Sequence, residues 1–359
     1  MLVVECNYRP GRTCLITLGP LSHTNAAVLT RNNFSFFSSQ ILQPINRTAS
    51  MPRRRILCVG LIALDIVNTC ERYPDEDEDI RAISQRWQAG GNACTNAAVL
   101  TQLGMECEFL GSLSRGLEAD FVCKHLFQRG VRYDNCVQHS GCGTPTSFVT
   151  LSLATGSRTV VHSRNNLPEL TVSAFEKVNL SDFDWIHFEG RRNEAEIVKM
   201  IDSIEEFNAA QSPKDRIVVS VELEKPRKSL MQLLDKADVV FTSKDFAQFL
   251  GFSSPYETVR SLRSKIKSGA TIICAWGAKG ADGAGPDGEV KHSNAYPPEK
   301  VVDTLGAGDT FTAGAIYSLI QGSSTEDTLI FACRLAGFKC GMNGNDGLVE
   351  ALSRHNICY

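Results

Sequence analysis

From Ile56 onward the chain alternates short apolar runs rich in β-branched residues with longer stretches whose apolar residues recur at the helical period. Nothing else in the sequence restricts the fold as much. Strands separated by helices run mostly parallel, and a parallel sheet needs helices on both faces to keep it from water. Strands are predicted over residues 56–62, 108–111, 185–188, 217–221, 239–242 and 271–275. Helices are predicted over 95–103, 117–129, 195–208, 256–267, 310–320 and 325–339, several of them stopped by Gly104, Gly130, Gly269 or Gly322. The expected domain is a three-layer α/β/α sandwich over residues 51–350, with 351–359 as a tail.

Two stretches break the rhythm. Residues 67–87 and 147–162 alternate polar and apolar positions, interrupted by Pro74 and by the turn Thr155-Gly156-Ser157. They predict a small accessory sheet, a lid able to close over a ligand and exclude water. A few-stranded sheet with one apolar face is marginal alone, so two copies of the chain are expected to pack their lids together as a homodimer.

Composition narrows the partners. A net charge of −3 over 359 residues gives no electrostatic reason to expect nucleic acid, and no apolar run approaches the ~20 residues that would cross a bilayer. The 13 cysteines never form a Cys-x-x-Cys pair, which suits reduced thiols in the cytoplasm better than a disulfide framework or a zinc site. Residues 1–50 hold a single acid, Glu5, among basic and hydroxyl side chains without sustained periodicity. They read as an appended extension, with Met51 as a candidate internal start. A small-molecule substrate is the default.

The chemistry concentrates in Asp303-Thr304-Leu305-Gly306-Ala307-Gly308-Asp309, where a β-like run meets two glycines and a helix. Amides at a helix start have no partner inside the helix, and the dipole favours an anion there. Gly306 and Gly308, with the small Ala307 between them, let backbone approach a phosphate. Asp309 at the same end is placed to take a proton from a hydroxyl. Taken alone the stretch is also compatible with a glycine turn and a helix-start acid. No Gly-x4-Gly-Lys-Ser/Thr occurs, which removes the P-loop class, and the one Gly-x-Gly-x-x-Gly, at 283–288, leads into no predicted helix, as the dinucleotide class requires. A second glycine element, Gly90-Gly91-Asn92, opens a helix directly after the lid strands and offers amides to sugar hydroxyls.

These two elements together resemble the paired signatures of the ribokinase (pfkB) carbohydrate kinases over residues 54–349. Further similarity to the branch acting on the 1-hydroxyl of fructose lies in Cys58-Val59-Gly60-Leu61, Leu64-Asp65, Gln85-Arg86-Trp87-Gln88, Trp185 to Arg191, Val221 to Arg227, Cys274-Ala275-Trp276 and Gly285-Pro286-Asp287-Gly288. The resemblance implies a ribokinase-like fold and ATP-dependent phosphorylation of a ketohexose, D-fructose to D-fructose 1-phosphate, with Mg2+ and with K+ admitted. It implies that Asp65, Gly91, Asn92, Thr95, Arg158 and Asp309 contact the sugar, with Asp77 reaching over from the lid, of a partner subunit. Gly277, Ala278, Lys279 and Gly280, together with Gly306, Ala307, Gly308 and Arg158, would line the ATP site, Asp309 would be the catalytic base, and Glu224 is the candidate carboxylate behind the magnesium waters. Arg158 alone reads as a surface charge, and Asp77 sits in the acidic run 75–79.

Two departures stand out. That branch usually carries asparagine where this chain has Thr95, and the asparagine here comes one place later at Asn96. The family's Asn-x-x-Glu element is replaced by Ser243-Lys244-Asp245-Phe246. The alternatives are a kinase of the same fold for another sugar or a nucleoside, and a silent sugar- or nucleotide-sensing protein.

Overall fold

The computed structural model describes residues 55–354; the expectations for 1–50 and for the end of the tail lie outside them. In chain order the strands are β1 (Arg55–Val59), β2 (Ala63–Cys70), β3 (Ser84–Gly90), β4 (Glu106–Leu110), β5 (Ser112–Leu113), β6 (Val137–Gln138) and β7 (Thr146–Ser152). They continue with β8 (Arg158–Ser163), β9 (Trp185–Glu189), β10 (Val218–Leu223), β11 (Val239–Ser243), β12 (Thr271–Ala275), β13 (Ala281–Ala284) and β14 (Val290–Ser293). The α-helices are α1 (Asn92–Gln102), α2 (Leu117–Gln128), α3 (Val172–Phe175), α4 (Glu194–Ala209), α5 (Lys244–Phe249), α6 (Pro255–Leu262), α7 (Ala307–Ile320), α8 (Thr325–Cys340) and α9 (Leu348–Arg354).

Eight strands form the main sheet in the order β14-β13-β12-β11-β10-β9-β1-β4. The pairings from β4 to β12 are parallel, and β13 and β14 complete the sheet as an antiparallel edge. Side chains alternate across a strand, so a sheet covered on both faces divides each strand between two cores. In β1, Ile56 and Cys58 enter the core shared with α1, α2, α7 and α8, while Leu57 and Val59 enter the core shared with α4 and α6. This arrangement is the expected α/β sandwich. The antiparallel edge was missed because Ala281-Asp282-Gly283-Ala284 carries no β-branched residue.

The lid is a four-stranded sheet ordered β3-β2-β7-β8. Its strands differ from the expected spans: β2 begins at Ala63, and residues 71–83 belong to no strand. Pro74 cannot donate to a ladder and the acids at 75–79 prefer water, so the chain makes an excursion before returning as β3. On the inner face Val67, Val149 and Leu151 pack with Leu305 of the glycine motif. On the outer face Phe148 lies opposite Val161, and both side chains are exposed. At the other end, α9 carries the fold past residue 350 to Arg354.

Candidate active site

The glycine motif forms the entrance to α7. Gly306 is its N-cap at φ 75, a left-handed conformation that a side chain resists. The helix opens with Thr310 N–H donating to the Gly306 carbonyl at 2.9 Å; of the expected 306–308 amide cradle, the Ala307 amide is turned to the Thr304 carbonyl at 3.3 Å, while no acceptor is found among the described residues for the Gly308 amide and the next one along, that of Asp309. A Cβ built on Gly308 would meet nothing within 4 Å. Two unpaired amides beside open space at a helix start form the shape and polarity an anion requires.

Asp309 stands in the first turn of α7, partly open to the cleft. Burial and the neighbouring carboxylates Glu224 and Glu189 push its pKa up to about 7, while Lys225 and Arg158 pull it back. That places its proton affinity where a general base works best near neutral pH. Arg158, at the start of β8, donates from Nη1 to the Thr304 hydroxyl at 3.0 Å, so this lid residue lies against the glycine motif.

Asp65, Gly91 and Asn92 gather on the opposite wall. Asp65 is buried, and burial raises it to about 6 although Ser147, Gln88 and Arg86 favour the anion. A Cβ on Gly90 would lie 2.0 Å from an Asp65 carboxylate oxygen, so glycine here lets Asp65 keep its buried place. Gly91, at φ 97, would set its Cβ 2.2 Å from the Leu61 carbonyl oxygen. Asn92 donates from Nδ2 to Glu224 at 2.8 Å and to Glu222 at 3.1 Å. Glu222 is buried and pushed well above the carboxylate range by desolvation and by Asp309 and Glu224.

Thr95 is buried on α1 with its methyl 3.6 Å from where a Gly306 Cβ would stand, which brings it to the motif. The neighbouring asparagine does not make up for it. Asn96 is fully buried and donates from Nδ2 to the Asp309 carbonyl at 2.9 Å, tying α1 to α7. Gly277, Ala278, Lys279 and Gly280 form a turn after β12, with Gly280 at φ 79 where a Cβ would strike the Ser293 carbonyl. Asp77 is not brought to these residues by a bond: it is exposed at φ 64 in the lid excursion, with no hydrogen bond or ion pair among the described residues.

Sequence reasoning missed two supports. Glu189 accepts from Leu61 N–H at 2.9 Å and Ala93 N–H at 3.3 Å and pairs with Arg191 at 2.8 Å, fastening the turn after β1 and the start of α1 to the end of β9. Asp303 is buried at the meeting of Arg86 from the lid at 2.7 Å, the Gly344 amide at 3.0 Å, and the Lys339 ammonium, which donates to the Asp303 carbonyl at 2.8 Å. Burial lowers the Lys339 pKa while Asp303 opposes the shift. The one signal for this network was a lysine on an otherwise apolar stripe of a predicted helix.

Residues 53–350 match the family described as pfkB family carbohydrate kinase. The chain belongs to that family. Among pfkB kinases it is 50% identical over 299 residues to ketohexokinase of Mus musculus, covering 83% of this chain and all of that protein. It is 24% identical over 300 residues to ribokinase of Bacillus subtilis, covering 82% of this chain and 96% of that one. The structure of Arabidopsis thaliana ribokinase complexed with ribose and ATP superposes with a TM-score of 0.66 at 20% identity, covering 84% of this chain and 99% of that one. This likeness establishes the ribokinase-like fold.

A pfkB kinase uses ATP, usually with Mg2+. Among the described residues no three His, Cys, Asp or Glu side chains cluster to hold a metal. No described helix is long and apolar enough to cross a membrane.

Proposed function

We propose that this chain transfers the γ-phosphoryl group of ATP to the 1-hydroxyl of D-fructose, giving D-fructose 1-phosphate and ADP. The observation that carries this reading is 50% identity across the full length of a ketohexokinase. The site supports it: a base raised to about 7 stands in the same helical turn as two unpaired amides.

In this reading Asp65, Gly91, Asn92 and Thr95 hold the ketose with its primary hydroxyl towards Asp309. The hydroxyl oxygen forms the new bond to the γ-phosphorus as its proton passes to Asp309, and the bond to the β,γ-bridging oxygen breaks with its electron pair leaving on ADP. The transition state is loose in most analyses, so Asp309 chiefly positions the hydroxyl. The Gly308 and Asp309 amides and Arg158 face the charge as it shifts. Gly277 to Gly280 line the nucleotide side, and Mg2+ bound with ATP neutralises phosphate charge.

The protein acts as a homodimer joined through the outer lid faces, with Asp77 completing the partner's sugar site. It works in the cytoplasm, consistent with the ten described cysteines all being free thiols. ADP release measured with fructose, tagatose, ribose and adenosine tests the substrate. Fructose is expected to give the highest kcat/KM; a preference for ribose or adenosine would replace it, and no release above the ATP-only background would leave a sensing protein.

A further inference from the structure

β3 is the edge strand of the lid, and its last residues run directly into Gly90-Gly91-Asn92. The neighbouring strand β2 turns its Leu64 amide the other way, towards the Pro145 carbonyl, although Leu64 stands opposite Ala89. Ala89 therefore points its own N–H out of the sheet, and Ala89 is buried. A buried amide without an acceptor is costly. The acceptor is a side chain from the body of the protein: Nδ1 of His125, on α2, lies 2.9 Å from the Ala89 nitrogen.

The ring is fixed in that role. It packs against Phe121 with centroids 5.3 Å apart and planes tilted by 33°, and Phe121 meets Trp87 of β3 edge-on at 5.7 Å. An Nδ1 that accepts carries no proton, so the imidazole is neutral with its hydrogen on Nε2. Burial and Arg129 lower the His125 pKa, in keeping with the neutral ring. Ala89 follows Gln88, the ladder partner of Asp65, and precedes the glycine on which the Asp65 carboxylate rests.

We infer that His125 is a positioning residue for sugar binding: it latches the lid's edge strand to α2 at the point where the strand becomes the sugar loop, and so sets the distance between Asp65 and Asn92. It touches neither substrate nor reacting atoms. The inference deepens the ketohexokinase reading and rests on it for the sugar named in the test.

Steady-state kinetics of the full chain with His125→Phe and His125→Asn separate the latch from a general packing role. Phenylalanine keeps the ring packing and loses the acceptor; asparagine offers Oδ1 near the place of Nδ1. The KM for fructose should rise roughly five- to thirtyfold in His125→Phe, the factor that corresponds to one unsatisfied buried amide, and fall most of the way back in His125→Asn. The KM for ATP should stay within about twofold, since the acceptor does not face the nucleotide loops. An unchanged fructose KM in His125→Phe, asparagine as damaging as phenylalanine, or a parallel rise in the ATP KM would overturn the latch. Hydrogen exchange of the Ala89 amide in the unaltered protein needs no variant: protection is expected, and exchange at the unprotected rate contradicts the inference. Failure of the unaltered protein to turn over fructose would count against the functional reading, and the Ala89 exchange would still decide the latch.

Discussion

Asp309 sits with two carboxylates, Glu224 and Glu189, close enough to raise its proton affinity. Asp309→Asn keeps the shape of the helix entrance and removes the proton acceptor, so kcat should fall by roughly 10²–10⁴-fold with ATP affinity nearly unchanged. Turnover within a few-fold of the unaltered enzyme would take Asp309 out of the mechanism. The pH dependence follows from the same burial. A base raised from the ordinary carboxylate range to about 7 is protonated below that pH, so kcat/KM for fructose should fall roughly fivefold from pH 7 to 6 and approach tenfold per unit below that. Below about 6 the fall should steepen as Asp65 also takes a proton. A profile flat down to pH 5 would show that neither carboxylate needs to be ionised. Asp309 was legible in the sequence because its glycines and helix are its immediate neighbours. Glu189 was not, because the amides it holds are 96 and 128 residues away along the chain.

At the scale of elements, the buried contacts of Asp303 join three parts of the fold: the lid through Arg86, the C-terminal loop through Gly344 and α8 through Lys339. Lys339 is wholly buried, so Lys339→Met would leave Asp303 with one cationic partner fewer in a dry site. Removing one partner of a buried pair costs about 3–5 kcal/mol, and the remaining bonds to Asp303 put the expected loss near the lower end, read from denaturant unfolding. A loss below about 1 kcal/mol would mean that the buried ammonium is not needed to hold the loop. Gly90→Ala makes a local test of the opposite wall. The added methyl displaces the Asp65 carboxylate, so the KM for fructose should rise by more than about tenfold with the KM for ATP little affected. The central parallel strands were legible from their continuous apolar runs. The lid boundaries were not, since alternation alone does not mark where Pro74 and the acids after it take the chain out of the ladder.

For the whole molecule, the lid has one face turned to Leu305 and the glycine motif and another on which Phe148 and Val161 are exposed side by side. A dimer through that outer face predicts a solution mass of twice 39.3 kDa. Val161→Glu places a charge in that apolar patch and should shift the population to monomer in light scattering, with fructose affinity weakened because Asp77 no longer reaches a partner's site. A monomeric mass for the unaltered chain at micromolar concentration would remove the dimer. The overall architecture could be read from the order of strands and helices, while the way the lid is fastened to the body rests on Arg86, Arg158 and His125, whose partners the sequence does not reveal.

The reaction proposed for the full chain moves the γ-phosphoryl group of ATP to the primary hydroxyl beside the ketone of fructose. Phosphorus NMR of the product formed from fructose, Mg2+ and ATP tests it most directly. The expected product is a phosphomonoester coupled to the C1 methylene protons; coupling to the C6 protons, or inorganic phosphate as the sole product besides ADP, would rule that transfer out.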